Sequence, residues 1–188
     1  MTSIHNRKGV VVDEIDLESV LPKARLLDDQ ALSELYKHYY PKIVKFIYYR
    51  TAPKYAEDLA SDVFVKVIRS IPKQSGNFDA WIYRIARNVM IDKGRHVNSR
   101  PEVELSQEYA ENVEDVRKQQ ESVNDAMDIH HALEQLNDEQ REFLTLKFIQ
   151  GLDNKDIADI TGKEIGALRA MQFRALKSLK NIFKRGES

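Results

Sequence analysis

A run of basic residues near the end of the chain is the first candidate for chemistry. Residues 164–185 contain six Lys and Arg side chains and one acid, Glu164. Their spacing predicts a helix, which follows a shorter predicted helix and a turn at Gly162. A helix-turn-helix whose second helix is cationic is an arrangement that enters the DNA major groove. The pattern therefore predicts DNA binding by this segment.

Aromatic and cationic residues form a second candidate site. Eleven of the 16 aromatic residues lie between Tyr36 and Tyr83, and most of them must form a core. Trp81, however, is followed closely by Arg84, Arg87 and Asn88. Aromatic faces beside cations suit single-stranded nucleic acid, and an amide can replace the lost pairing of an extruded base. A core tryptophan beside ordinary surface arginines is the alternative interpretation.

An acidic cluster is predicted on one helix, because Asp58 and Asp62 are four residues apart and Glu57 adjoins them. General acid–base catalysis would require a pocket, which nothing in the sequence indicates. Docking to a cationic partner would require only exposure. We therefore expect a protein-binding surface here.

Other enzyme and cofactor signatures are weak. Thr161-Gly162-Lys163 lacks the upstream glycine and the following Ser or Thr of a phosphate-binding loop. The adjacent His130 and His131 would point about 100° apart on a helix, so we expect both on the surface rather than binding a metal. The chain has no cysteine, which excludes disulfides and thiolate metal sites. We expect a protein that is not an enzyme and has no cofactor.

The charge is strongly segregated although the net charge is only −1. Residues 21–96 carry a net charge of +6, whereas residues 97–128 carry −6. The apolar runs are short and interrupted by charge, and residues 1–16 lack the hydrophobic core of an export signal. We therefore expect a cytoplasmic protein without membrane insertion.

Helical periodicity predicts an all-α protein with two small helical domains joined by an acidic linker, the second containing the helix-turn-helix. The expected boundaries are an N-terminal arm over 1–25, a first domain over 26–96, a linker over 97–128 and a second domain over 129–188. Within these, we expect helices over 54–70 and 78–95, with Ile68 turned inward, and helix starts or breaks at Pro41 and Pro53. The final helix is expected to bury Leu168, Met171, Leu176, Leu179 and Phe183.

In this order, the segments resemble a bacterial sigma factor of the small extracytoplasmic-function type, a sigma-70 family member with only the second and fourth conserved regions. Residues 56–64 resemble the core-polymerase-binding helix of region two. Residues 80–88, followed by Ile91-Asp92, resemble the stretch that melts and reads the minus-ten element. Residues 136–179 resemble region four. The resemblance implies three partners: core RNA polymerase, promoter DNA and an anti-sigma factor. It also implies that the acidic linker threads the RNA exit path of the polymerase.

The resemblance also implies roles for individual residues. Glu57, Asp58 and Asp62 would dock on the largest polymerase subunit. The residues implied for minus-ten DNA are Lys66, Arg69, Ser75, Asn77, Trp81, Arg84, Arg87 and Asn88. Those implied for the minus-thirty-five element are Arg169, Gln172, Phe173, Arg174 and Lys177.

The recognition helix departs from the family pattern at its start. Residues 166–171 read Gly-Ala-Leu-Arg-Ala-Met where the family usually has Gly-Thr-Val-Lys-Ser-Arg, so the promoter sequence is not predicted. The alternative function is a helix-turn-helix regulator that acts without being a polymerase subunit, since residues 141–158 also fit response regulators. That class would require an upstream α/β domain, and residues 26–96 show no strand pattern.

Overall fold

The computed structural model describes residues 15–99 and 123–186, with side chains described over 15–93 and 129–184. Within these ranges the regular structure is helical and contains no strand, which confirms the predicted all-α class. The helices are α1 (Leu17–Arg25), α2 (Asp29–Tyr48), α3 (Ala56–Ser70), α4 (Phe78–Ser99), α5 (Val123–Glu134), α6 (Asp138–Leu144), α7 (Asn154–Thr161) and α8 (Ile165–Gly186). Short 3-10 turns precede and follow α3, at Pro53–Tyr55 and Ile71–Lys73, and a π-helical turn over Thr145–Ile149 follows α6.

Helix α1 corrects the predicted N-terminal arm of residues 1–25. The Asp16 carboxylate caps this helix by accepting from the backbone N–H groups of Glu18 and Ser19, at 3.1 and 3.4 Å. Val20 and Ala24, four residues apart, are buried against the first domain. The arm prediction is therefore wrong for residues 17–25, because a nine-residue helix is too short to show a clear apolar period. Residues 1–14 of the predicted arm lie outside the described residues.

Helix α2 continues through Pro41, which is therefore neither a helix start nor a break. Leu35 and Tyr39 precede the proline and Ile43 and Ile47 follow it, all four on the buried side. Proline has no backbone N–H group, so Pro41 cannot donate the helical hydrogen bond of its position. Burial of apolar side chains before and after it compensates for this loss. Tertiary packing thus overrides the local signal. Pro53, in contrast, begins a 3-10 turn as expected.

Helices α3 and α4 carry most of the residues predicted to bind core polymerase and minus-ten DNA. Leu59, Val63 and Val67 of α3 are buried as predicted, but Ile68 is 46% exposed, so its inward placement was wrong. Helix α4 extends to Ser99, beyond the predicted end at residue 95.

The predicted linker over 97–128 is too long at both ends, because α4 reaches Ser99 and α5 begins at Val123. Residues 100–122, including most of the acidic stretch, lie outside the described residues. The predicted passage through the polymerase therefore stays a prediction.

The second domain follows its local signals closely. The side chain of Asn137 accepts from the N–H of Gln140 at 2.9 Å and starts α6, and Asp153 accepts from the N–H of Asp156 at 2.8 Å and starts α7. Gly162 ends α7 with a φ of 71°, a left-handed conformation that favours glycine.

Helix α8 buries a stripe that differs slightly from the predicted one. Leu168, Met171 and Ala175 are buried, whereas Leu176 and Phe183 are 41% and 46% exposed, so the predicted burial of these two was wrong. Spacings of three and four from Leu168 lead to Ala175 and the half-buried Leu179 and leave Leu176 one position off the stripe. The inward position is occupied by Ala175, a small residue, so the sequence pattern pointed to the neighbouring Leu176 instead.

Candidate nucleic-acid interface

An open groove between α3 and α4 brings together four of the residues predicted for minus-ten DNA. Lys66 and Arg69 come from α3, and Arg87 and Asn88 come from α4. The groove has a volume of about 690 Å³, and Asn88 is exposed at it. Cations on two sides of an exposed amide are groups that can bind phosphate and a base edge together.

One ion pair spans this groove. The ammonium group of Lys66 lies 3.2 Å from a carboxylate oxygen of Asp92, and both side chains are about half exposed. Exposed pairs of this kind contribute about 0–1 kcal/mol. The Lys66 ammonium can therefore exchange the carboxylate for a phosphate at little cost.

Arg87 is engaged by the second domain. Its Nε donates to Oε1 of Glu142 at 3.0 Å, and Glu142 is only 5% exposed. Arg50 approaches the same oxygen at 3.7 Å and donates to the backbone carbonyl of Asp138 at 2.7 Å. Burial lowers the pKa of Arg50, while Glu142 and Asp138 oppose this shift. Two guanidinium groups of the first domain thus share one buried carboxylate of the second.

Three further contacts cover the same face of the first domain. The guanidinium of Arg84 donates to the backbone carbonyl of Asp159 at 2.9 Å, and the Asn77 amide donates to Asp156 at 2.6 Å. The buried hydroxyl of Tyr83 donates to the side-chain oxygen of Gln150 at 2.8 Å. In this arrangement, α7 and the turn before it lie over the start of α4.

Trp81 and Ser75 lie in different surroundings. Trp81 is half-buried and packs against Phe78, with ring centroids 5.3 Å apart, so it has a packing role in the first domain. Ser75 is exposed in the loop between the Ile71–Lys73 turn and α4. Their predicted contacts with DNA stay predictions.

The acidic cluster lies on α3. Asp58 and Asp62 are exposed, and Glu57 is half-buried. Asp62 also lines a smaller groove of about 300 Å³ together with Lys66 and Arg69. The acidic surface therefore borders the basic groove, and a partner on one would lie close to a partner on the other.

Helix α8 presents the second basic surface. Arg169, Arg174 and Lys177 are exposed, Phe173 is 72% exposed, and Gln172 is half-buried. Among the described side chains, none forms a hydrogen bond or an ion pair with Arg169, Arg174 or Lys177. Leu168, Met171 and Ala175 bury the opposite side of the helix, so the cationic side faces outward.

The sequence did not identify Arg50, Glu142 and Gln150 as functional residues. Arg50 and Asp138 are 88 residues apart, and Arg87 and Glu142 are 55 apart. No local spacing joins such partners, so only the tertiary structure identifies them.

Comparison with known families accounts for both halves of the chain. Residues 35–100 match the family described as Sigma-70 region 2, and residues 126–179 match the family described as Sigma-70, region 4. The extracytoplasmic-function sigma factor BldN of Streptomyces coelicolor is 31% identical over 185 residues, which cover 95% of this chain and 70% of that protein. The chain belongs to the extracytoplasmic-function sigma factors of the sigma-70 family. SigC of Mycobacterium tuberculosis is 30% identical over 80% of this sigma factor and 82% of its own length.

Two solved structures share the fold of this sigma factor. CnrH in complex with the cytosolic domain of CnrY superposes with a TM-score of 0.66 at 17% identity and covers 89% of this chain and 96% of its own. The sigma factor RpoE of Bartonella quintana, in complex with the anti-sigma factor NepR, gives a TM-score of 0.54 at 24% identity and covers 90% and 94%. Both likenesses agree with two helical domains.

Membership of this family settles the class of function. The protein is a sigma factor that directs RNA polymerase to promoters, and the alternative of a regulator that is not a polymerase subunit is wrong. Sigma factors are non-enzymatic transcription factors. The described part of the chain contains no helix long and apolar enough to cross a membrane.

Proposed function

We propose that this sigma factor uses three separate surfaces: the acidic cluster of α3 for core polymerase, the α3–α4 groove for minus-ten DNA, and the exposed side of α8 for the minus-thirty-five element. The observation that carries the proposal is the groove, because it places Lys66, Arg69, Arg87 and Asn88 on one surface. The acidic cluster borders this groove on α3, whereas the exposed side of α8 belongs to another helix.

The core-binding surface consists of Glu57, Asp58 and Asp62. Its exposed carboxylates would meet a basic surface on the largest polymerase subunit, and attraction between the two would steer the encounter. These acids stand within a basic first domain, so docking there would leave the groove cations for DNA.

The groove would hold the non-template strand after melting. Lys66, Arg69, Arg84 and Arg87 would bind phosphates, which sets position without reading sequence. Asn88, aided by Ser75, Asn77 and Trp81, would accommodate a base that has left the duplex, since its amide offers both a donor and an acceptor.

The recognition helix would enter the major groove of the upstream element. Arg169 and Arg174 can form bidentate hydrogen bonds with guanine, and Gln172 can do the same with adenine. Phe173 would contact a thymine methyl group, and Lys177 would bind phosphate.

Promoter binding would require the two domains to separate locally. Asn77, Arg84 and Arg87 already bind Asp156, the Asp159 carbonyl and Glu142 of the same chain. DNA phosphates would have to replace these oxygen atoms. The described arrangement is therefore a closed form of the sigma factor, and polymerase binding would favour an open one.

An anti-sigma factor is the third partner that we propose. The similar sigma factor RpoE of Bartonella quintana is bound to one, NepR, in its solved structure, which supports this proposal. The proposed compartment is the cytoplasm, where core polymerase acts. Catalysis would belong to the polymerase alone.

The decisive experiment reverses charge on the acidic cluster. The double variant Asp58→Lys, Asp62→Lys should fold and lose binding to core polymerase, because both side chains are exposed and would face a basic surface. Binding is measured by co-sedimentation of the full chain with purified core enzyme, and folding by circular dichroism.

The matched control reverses two exposed acids elsewhere, Glu34→Lys and Glu164→Lys, with the same change in net charge. It should bind core polymerase as the wild type does. A folded Asp58→Lys, Asp62→Lys variant with wild-type binding would remove the docking assignment.

A further inference from the structure

Three potential metal ligands meet on α5. Nδ1 of His130 lies 3.7 Å from one carboxylate oxygen of Glu134, and Nδ1 of His131 lies 3.4 Å from the other. All the ligand atoms lie within 4.8 Å of one another. Around a tetrahedral zinc ion with bonds of about 2.0–2.2 Å, ligand atoms are about 3.3 Å apart. Small rotations of these side chains would therefore bring the three atoms to coordinating distance.

This arrangement corrects an expectation from the sequence. Adjacent histidines on a helix point in different directions, and both were expected on the surface. His130 is instead only 6% exposed. Glu134 lies four residues after His130 and three after His131, so it shares a helix face with each of them. The Glu134 carboxylate thus lies next to both imidazole rings, although adjacent positions on a helix direct the two rings apart.

The hydrogen bond of His130 favours metal binding. Its Nε2 lies 3.0 Å from the backbone carbonyl of Tyr48, and a carbonyl can only accept, so Nε2 carries the hydrogen. In the neutral ring, the lone pair then belongs to Nδ1, the atom that faces Glu134. Metal-binding histidines commonly donate their other ring N–H to a backbone carbonyl in this way.

Packing also restricts the His130 ring. The rings of Tyr48 and Tyr49 lie 4.9 and 6.1 Å from it, centroid to centroid. His131 and Glu134, in contrast, have side chains that are 66% and 47% exposed. The cluster therefore combines one preoriented ligand with an open approach from solvent.

We propose that His130, His131 and Glu134 bind one divalent transition-metal ion, with water completing its coordination. Two imidazole nitrogens and a carboxylate oxygen are a donor set that suits zinc and its neighbours in the first transition row. Harder ions such as magnesium prefer oxygen donors alone.

The site links metal binding to the packing of the two domains. His130 belongs to α5 of the second domain, whereas its hydrogen-bond acceptor, Tyr48, ends α2 of the first. Two residues after Tyr48, Arg50 binds Asp138 and Glu142. A bound ion would hold the His130 ring in the orientation set by Tyr48, so it would favour the closed form. By linkage, the closed form would bind the ion more tightly than the open one.

The proposal is tested with the full chain and Zn²⁺ as the probe. Isothermal titration calorimetry should show one ion per chain, and His131→Ala and Glu134→Gln should each weaken binding by tenfold or more. These two side chains are exposed, so their loss should leave the fold intact, as measured by circular dichroism. Zn²⁺ should also raise the melting temperature of the wild type and not that of His131→Ala.

The matched controls are His38→Ala and Glu139→Gln, which remove an imidazole and a carboxylate elsewhere and should keep the wild-type affinity. NMR of the ring nitrogens should show that Zn²⁺ shifts Nδ1 of His130 rather than Nε2. The absence of Zn²⁺ binding, or equal binding by His131→Ala and the wild type, would overturn the proposal. None of these readouts involves polymerase or DNA, so this result is independent of the proposed promoter contacts.

Discussion

The two candidate DNA surfaces of this sigma factor have the same kind of charge but differ in what covers them. On the first domain, Arg84 and Arg87 already bind oxygen atoms of the second domain. On α8, Arg169 and Arg174 have no hydrogen-bond or ion-pair partner among the described residues. A basic surface is therefore not automatically an available one. In the closed form, the recognition helix α8 is therefore exposed to DNA, whereas the proposed minus-ten surface of the first domain is partly covered by the second domain.

The contacts that cover the first surface are unequal in strength. Arg84 and Asn77 are exposed, so water competes for the hydrogen bonds that they form with the second domain and weakens them. Glu142 is buried between Arg50 and Arg87, where an unpaired charge would be much more costly. The covered state should therefore depend mainly on this one carboxylate.

The largest expected effect comes from Glu142→Ala. Removing the carboxylate leaves the guanidinium of Arg50, whose side chain is 12% exposed, without its buried counter-charge. The free energy of unfolding should fall by about 3 kcal/mol, as measured by urea denaturation. Glu139→Gln, which removes an exposed carboxylate of the same helix together with its ion pair to Lys163, should change it much less. Equal stability of Glu142→Ala and the wild type would show that the packing of the second domain on the first does not depend on this carboxylate.

Substitutions on the exposed cationic side of α8 should weaken DNA binding and leave protein stability unchanged. Arg169→Ala and Arg174→Ala should each weaken binding to the upstream element by about 1–3 kcal/mol and relax specificity at one base pair, if they contact base edges. Fluorescence anisotropy with matched and mismatched duplexes measures both quantities. Lys180→Ala, a change of another exposed cation on α8, is the control. A uniform loss on all sequences would make these arginines phosphate contacts, and no loss would leave α8 a structural helix.

Asn88→Ala tests the groove itself. We expect it to keep core binding and closed-complex formation but to impair promoter opening by about 1 kcal/mol, the value of one lost hydrogen bond. Permanganate footprinting of promoter thymines with reconstituted holoenzyme, on duplex and premelted templates, measures this step. Asn88 is exposed, so its loss should hardly change protein stability. Equal opening by variant and wild type would exclude the proposed base contact.

The smaller of the two expected effects on stability is that of Tyr83→Phe. This change removes the hydroxyl that donates to Gln150 across the two domains and leaves the ring in place. The free energy of unfolding should fall by about 1 kcal/mol in urea denaturation, because the side-chain oxygen of the half-buried Gln150 loses its donor. Tyr55→Phe, at a half-buried tyrosine outside this contact, is the control. An unchanged stability would mean that water replaces the hydroxyl at no cost.

Much of the fold could be predicted because its signals are local. The caps at Asn137 and Asp153 act over three residues, and Gly162 ends α7 through its own φ angle. Errors arose where packing overrides a local preference, as at Pro41, or where a short helix lacks a period, as in α1. Four of the eight residues that the resemblance implied for minus-ten DNA line the α3–α4 groove, and their contact with DNA stays a prediction.

The sequence by itself determined the helical class, the two conserved regions and the family, because each depends on periodicity or motifs within a few turns of helix. Only the tertiary structure decided which charges face solvent and which are paired. Arg50, Arg87 and Glu142 meet across 55 residues or more, and His130 is buried by Tyr48 at a distance of 82 residues. Electrostatic and packing energies depend on separation in space, and separation along the chain does not predict it at this range.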